Sequence, residues 1–300
     1  MKQKNIFDDK TYFSFCCTIN AESAELWSWF CFEKGALGVE TLAEDSNELT
    51  LRIFFSKKPE RGVKKYFECF QREINEVCEI RIFEEVIQPI KNWGTNWHQN
   101  FHPVEVGESL IILPSWKNRI IRSGRHPVWI EPGQGFGTGN HLSTVLALEM
   151  LEKFLSETHI IPENMLDLGI GSGILAIAAC RLGLKTVTGV DIETEAVVEV
   201  ERNSKLNGLL GRINSHVGRP SLLKKSAPLV VSNMLLKELL GIRHEMYRLT
   251  SPGGTLICSG LFGEQEEELR NSMMELGFAY QTSLVREKWN AIRFQRHGKQ

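Results

Sequence analysis

Three hundred residues, 42% hydrophobic and 24% charged, describe an ordinary globular composition with room for two domains, each with its own core. A formal net charge of −2 excludes the strongly basic profile of a general nucleic-acid binder. Seven cysteines (Cys16, Cys17, Cys31, Cys69, Cys78, Cys180 and Cys258) form an odd set without a Cys-x-x-Cys pair, which predicts reduced core thiols and no metal site. Residues 1–9 carry Lys2 and Lys4 but no apolar segment, and nowhere does an apolar run reach the ~18 residues of a membrane span. The expectation is a cytoplasmic chain, neither exported nor membrane-bound.

Taken in order, Tyr12 to Ile19 reads as a strand, Ala21 to Phe32 as an amphipathic helix, and Leu37 to Leu42 as a second strand after the helix-ending Gly35. Glu48 to Phe55 alternates like a strand. Pro59 stands where a helix begins, and Lys64 to Ile74 continues it with Tyr66, Phe67 and Phe70 as the apolar stripe. Cys78 to Ile87 supplies a fourth strand. This β-α-β-β-α-β order predicts a ferredoxin-like α+β domain over residues 1–90. That segment holds 12 Lys and Arg against 16 Asp and Glu, a local charge of −4, which suggests a docking surface for something basic or simply a solvated face.

Residues 91–131 read as a linker and junction, with Trp93, Trp97, Phe101 and Trp116, a short helix, and strands at Ser109 to Leu113 and Pro127 to Ile130. Residues 132–300 read as a second domain, whose pattern from Asn140 onward becomes αβαβ. A helix is expected over Leu142 to Leu155, and strands at Asn164 to Leu168, Thr186 to Val190, Asn214 to Val217 and Leu229 to Ser232, with a helix over Glu193 to Leu206. Pro252-Gly253-Gly254 reads as a turn into a strand over Thr255 to Ser259; a helix over Glu264 to Leu276 and a hairpin of Ala279 to Val285 with Trp289 to Arg296 follow. The prediction is a doubly wound parallel sheet that ends in an antiparallel hairpin.

The chemistry concentrates where the strand ending at Asp167 breaks into Gly169-Ile170-Gly171-Ser172-Gly173 and then a helix. Such a turn requires φ > 0 and lets a nucleotide-like ligand approach the backbone. A dinucleotide fingerprint, Gly-x-Gly-x-x-Gly, seats a pyrophosphate on the helix N-terminus. Here the third glycine arrives one residue early, and no Lys or Arg lies between Asp167 and Cys180. Asp191 ends the next strand, 22 positions after Gly169, where a carboxylate can accept both hydroxyls of a ribose. Adenosine without phosphate fits better than NAD. Upstream, Glu131 to Thr144 carries four glycines and leads into a helix capped by Asn140, Ser143 or Thr144. Asn233 ends the fourth strand, where an amide oxygen can accept a hydrogen bond from an amine.

These stretches resemble the PrmA family, the methyltransferases of large-subunit ribosomal protein L11. The family loop Pro-Gly-x-Ala-Phe-Gly-Thr-Gly-x-His-x-Thr-Thr stands at 132–144, its glycine turn at 167–179, its Gly-x-Asp-x-Asp at 189–193, its Asn-Gly at Asn207-Gly208 and its Val-Val-Ala-Asn-Ile-Leu at 230–235. The departures are Gly135, Leu142, Ser143, Glu193 and Met234, with Pro228 where the family often has Asp. The resemblance implies a seven-stranded, Rossmann-like domain that binds S-adenosyl-L-methionine (SAM), with Asp167 and the glycine turn facing its methionine part. It assigns cofactor contacts to Thr144, Gly169, Asp191 and Asn233, and by extension along the turn to Gly171 and Gly173. It implies methylation of lysine or N-terminal amines of a ribosomal protein recognised by residues 1–90. Asn233 would orient the target amine; His141 could be a base, but a loop or capping role is the favoured reading. No metal, no direct nucleic-acid readout and a monomer are expected. A nucleic-acid amino methyltransferase is the rival enzyme, but it carries an aromatic after the strand-four Asn, where this chain has Met234-Leu235-Leu236. A SAM-holding ribosome-assembly factor without turnover is the rival of another class.

Overall fold

The computed structural model describes residues 11–45, 47–55, 58, 62–74, 80–89, 103–116, 124–131 and 141–298. The chain divides into two compact units, Met1–Asn100 and Phe101–Gln300.

In the first unit the order is β1 (Thr11–Asn20), α1 (Ala21–Glu33), β2 (Ala36–Glu44), β3 (Glu48–Phe55), α2 (Val63–Ile74) and β4 (Ile80–Pro89). The strands form one antiparallel sheet, β2-β3-β1-β4. Alternation sets its buried face: Phe13, Phe15, Cys17 and Ile19 of β1 and Leu51, Ile53 and Phe55 of β3 are all buried. Against them lie Trp27 and Phe30 of α1 and Phe70 of α2, with the Trp27 and Phe70 rings 4.9 Å apart. The indole N–H of Trp27 is not stranded there, because it donates to Cys17 Sγ at 3.2 Å. Asn20 caps α1 by accepting from the Ser23 amide at 3.0 Å. Pro59, Cys78 and the aromatics Trp93, Trp97 and Phe101 lie outside the described residues.

The second unit begins with a small sheet of β5 (Val104–Val106), β6 (Leu110–Pro114) and β7 (His126–Ile130). β5 runs antiparallel to β6, and β7 parallel to it. Then follow α3 (Leu142–Glu157), β8 (Asn164–Leu168), α4 (Ile174–Arg181), β9 (Thr186–Asp191), α5 (Thr194–Leu206), β10 (Ile213–Val217), β11 (Ala227–Asn233), α6 (Leu236–Gly241), α7 (Arg243–Leu249), β12 (Thr250–Phe262), α8 (Glu266–Glu275), β13 (Phe278–Arg286) and β14 (Trp289–Arg296). The large sheet runs β10-β9-β8-β11-β12-β14-β13. The first five strands are parallel and the last two pair antiparallel as a hairpin. The order reverses between β8 and β11, which opens a crevice at the C-terminal ends of those strands.

Two features differ from the sequence expectation. The segment Pro252-Gly253-Gly254 does not turn into β12 but lies inside it. The strand starts at Thr250, and the excess residues form an irregularity between the pairs Ala227↔Thr250 and Leu229↔Thr255, with Gly253 at φ 75. β5, which the sequence reading did not contain, pairs through only three residues. Its turn into β6 is fixed from α3, where the Glu152 carboxylate accepts the Glu108 and Ser109 amides at 2.9 and 2.7 Å and the Ser109 hydroxyl.

Candidate cofactor site

The glycine turn joins β8 to α4 with Gly169, Gly171 and Gly173 at φ 78, 50 and 79, a run that only glycine adopts at little cost. The Gly169 and Ile170 amides both donate to Val190 O, at 2.9 and 3.0 Å, which ties the turn to the end of β9. A side chain at Gly169 would not intrude on an open cleft: its Cβ would stand 2.8 Å from Met234 Sδ. Gly169 therefore serves the turn conformation and the close packing of Met234.

Asp191 lies at the C-terminal end of β9. Its Oδ2 accepts the Gly171 amide at 2.9 Å and its Oδ1 the Glu193 amide at 3.0 Å. A carboxylate has about four acceptor sites, so these bonds orient the group and leave capacity for hydroxyl donors. Beside it Ile192 stands 68% exposed, an apolar surface at the crevice that the sequence reading did not single out. An apolar residue directly after the strand-ending acid was the available signal.

Asp167 is fully buried, and among the described residues neither of its carboxylate oxygens has a hydrogen-bond partner. Burial first, and then the nearby charge of Asp191, push its pKa well above the usual carboxylate range. Across the reversal of strand order, Asn233 Nδ2 donates to Thr144 Oγ1 at 3.2 Å, and Asn233 Oδ1 is buried without a partner. Thr144 itself is completely buried in the first turn of α3. Two hydroxyls tie the elements that carry this pair: Ser232 of β11 donates to Leu168 O of β8, and Ser259 of β12 to Ser143 O of α3, each at 2.8 Å.

His141 is the N-cap of α3, which matches the capping role expected for it and not the base, and it takes the cap position ahead of Asn140, Ser143 and Thr144. Its Nδ1 accepts the Ser143 amide at 3.2 Å and lies 2.8 Å from the Ser143 hydroxyl, while its ring meets Trp289 edge-on at 4.5 Å. Burial pushes its pKa down to about 3. A general base works best with a pKa near the working pH, so the environment of His141 is that of a neutral cap and not of a base. The four loop glycines at 133, 135, 137 and 139 lie outside the described residues. Among the described residues no cluster of His, Cys, Asp or Glu could hold a metal ion, and no helix is long and apolar enough to cross a membrane.

The donor set fits SAM. Asp167 and Asn233 present buried acceptors that no group among the described residues satisfies, as an ammonium or amine requires, and Asp191 keeps acceptor capacity at the strand end that a ribose diol could use. A pyrophosphate does not fit, since two carboxylates flank the turn and no cation lies in residues 167–180.

Known proteins similar to this chain are methyltransferases of one ribosomal protein. A ribosomal protein L11 methyltransferase of Geotalea uraniireducens is 30% identical over 306 residues, covering 94% of this chain and 97% of its own. That of Trichlorobacter lovleyi is 35% identical over 211 residues, covering 69% and 68%. The crystal structure of a ribosomal protein L11 methylase from Lactobacillus delbrueckii subsp. bulgaricus superposes with a TM-score of 0.59 at 28% identity, over 66% of this chain and 98% of that one. The model of the ribosomal protein L11 methyltransferase (PrmA) family matches residues 11–297, and the chain belongs to that family.

Proposed function

We propose that this protein is a SAM-dependent methyltransferase that modifies amines of ribosomal protein L11, lysine side chains or the N-terminal α-amine, with residues 1–90 recognising that protein. The observation that carries the reading is the set of orphaned buried acceptors on Asp167 and Asn233 at the end of a parallel sheet whose family is known. SAM supplies a methyl carbon on a sulfonium sulfur, whose departure as a neutral thioether needs no acid. What the chain must do is bind, desolvate and align.

Asp167 is the counter-ion for the cofactor's ammonium, and Asp191 accepts from the ribose hydroxyls. Asn233 acts on the other reactant. Thr144 fixes the amide by taking its Nδ2–H, which leaves Oδ1 to accept an N–H of the incoming amine and turn the lone pair toward the methyl carbon. A lysine amine, with a reference pKa of ~10.4, arrives protonated. Removal from water lowers that value, and the proton passes to solvent as the amine enters, because neutral His141 has no affinity for it at pH 7. An amide can orient an amine throughout without changing its own charge.

The deciding experiment supplies purified ribosomal proteins and intact ribosomal RNA with radiolabelled SAM. Label in one small protein, mapped to lysine or the N-terminus, is expected. Label confined to RNA, or none despite bound SAM, would refute the proposal.

A further inference from the structure

The small sheet ends at β7, yet the outer edge of β7 is not open. β6 pairs with one side of it, so Pro127, Trp129 and Glu131 present their backbone groups on the other. All three are met by side chains from two helices. Arg181 Nε, at the end of α4, donates to Pro127 O at 2.9 Å. Asn207, just past the end of α5, accepts the Trp129 amide at 2.9 Å through Oδ1 and donates to Trp129 O at 2.6 Å through Nδ2. Asn203, one turn earlier, accepts the Glu131 amide at 2.9 Å through Oδ1. The match is geometric: four helical residues rise about 6 Å and two strand residues about 6.6 Å, so asparagines at i and i+4 face backbone groups at j and j−2. The pair stands where another strand would have been.

The two asparagines do not do the same thing with their remaining N–H. Asn207 returns it to its own helix end, at Asn203 O, 2.8 Å away. Asn203 sends it into the glycine turn, where Nδ2 donates to Ser172 O at 2.9 Å. One buried amide thus bonds simultaneously to the turn and to the backbone of Glu131, with no part of it exposed to solvent. The turn is then held from two sides, by Asp191 on the Gly171 amide and by Asn203 on the next carbonyl.

We infer that Asn203 is a positioning residue for the cofactor: through its bonds to Ser172 and Glu131 it fixes the glycine turn against the end of β7 before any ligand is bound. The inference rests on the cofactor reading above. Asn207 has no bond to the turn; its bonds go to Trp129, to Asn203 O and to Arg181. Stiffening the turn with a ligand is therefore transmitted to the Glu131 amide.

Asn203→Leu and Asn207→Leu each remove a buried amide, the first leaving the Glu131 amide and Ser172 O unsatisfied and the second both backbone groups of Trp129 and Asn203 O. Both should lower Tm. Calorimetry with S-adenosyl-L-homocysteine separates them: Asn203→Leu should raise Kd roughly tenfold or more, while Asn207→Leu should stay within about twofold of wild type. Equal Kd changes in the two variants, or none in a folded Asn203→Leu, overturn the inference. Hydrogen exchange on the wild-type protein keeps the test independent of whether the variants fold. The Glu131 amide should gain protection when S-adenosyl-L-homocysteine binds, and unchanged exchange there speaks against the coupling. A wild-type protein that binds no S-adenosyl-L-homocysteine removes the cofactor reading and this inference together, whereas normal wild-type binding with an indifferent Asn203→Leu removes only the inference.

Discussion

Asp167 makes the ligand-free protein pay a cost that binding relieves. Its folded pKa is raised, so by linkage its contribution to stability is complete below the unfolded carboxylate range and is lost as pH rises toward the raised value. The ligand-free protein should therefore lose stability between mildly acidic and neutral pH. Asp167→Asn should flatten that slope and raise Tm at neutral pH, while weakening SAM binding roughly tenfold or more because the counter-ion is gone. A variant that is neither more stable nor a weaker binder would show that Asp167 is not the ammonium's partner. Binding to the wild type should also release protons, which calorimetry in buffers of different ionisation enthalpy detects. For Asp191→Ala, the loss of charge-assisted bonds worth about 1.5–3 kcal/mol predicts at least tenfold weaker binding. A folded Asp191→Ala with unchanged Kd would reduce the carboxylate to a clip for the Gly171 and Glu193 amides. At this scale the sequence was most legible where residue type and strand end coincide. The spacing of Gly169 and Asp191 was enough to suggest a ribose, whereas Thr144 entered as a cofactor contact only through family resemblance, and its hydrogen bond with Asn233, 89 residues away, had no sequence signal. A capping role for His141 was open from the sequence; the structure adds its geometry, with Nδ1 accepting the Ser143 amide, although histidine is not among the usual cap residues.

Among the elements, α3 has two jobs at opposite ends. Its first turn carries Thr144, and two turns later Glu152 clamps the turn between β5 and β6. Glu152→Ala should free the Glu108 and Ser109 amides and lower stability by about 1–3 kcal/mol. Hydrogen exchange should rise first at residues 107–109, and a loss confined to other segments would argue against the clamp. The element boundaries show what periodicity can and cannot resolve. Strands Asn164–Leu168 and Glu48–Phe55 fall where alternation and apolar runs placed them. β12 was truncated at Thr255 because Pro and Gly are ordinary strand breakers, and nothing local announces that Gly253 sits in an irregularity of a longer strand. β5 is three residues long and owes its existence to a carboxylate on a helix 44 residues away in sequence. Asn203 was equally silent, since a polar residue on a helix reads as solvent-facing until its partners on β7 and in the glycine turn are known.

For the molecule as a whole, the division at Asn100 and Phe101 sets where a truncation would cut. We expect a chain beginning at Phe101 to bind SAM with near-native affinity, because Thr144, Asp167, Asp191 and Asn233 all belong to the second unit. It should lose methylation of the ribosomal protein if residues 1–90 recognise that substrate. Full-rate modification by the truncated protein would assign recognition to the second unit instead. A start at Val106 should fare worse, since it removes most of β5. The filled edge of β7 bears on how such a protein behaves when concentrated or warmed. An unpaired strand edge is a template on which another chain can add a strand, and here Arg181, Asn203 and Asn207 occupy that template. Aggregation through β7 then has to wait for α5 to peel away. Fibril seeding should follow the local melting of that helix, and a cofactor that tightens the glycine turn should delay it.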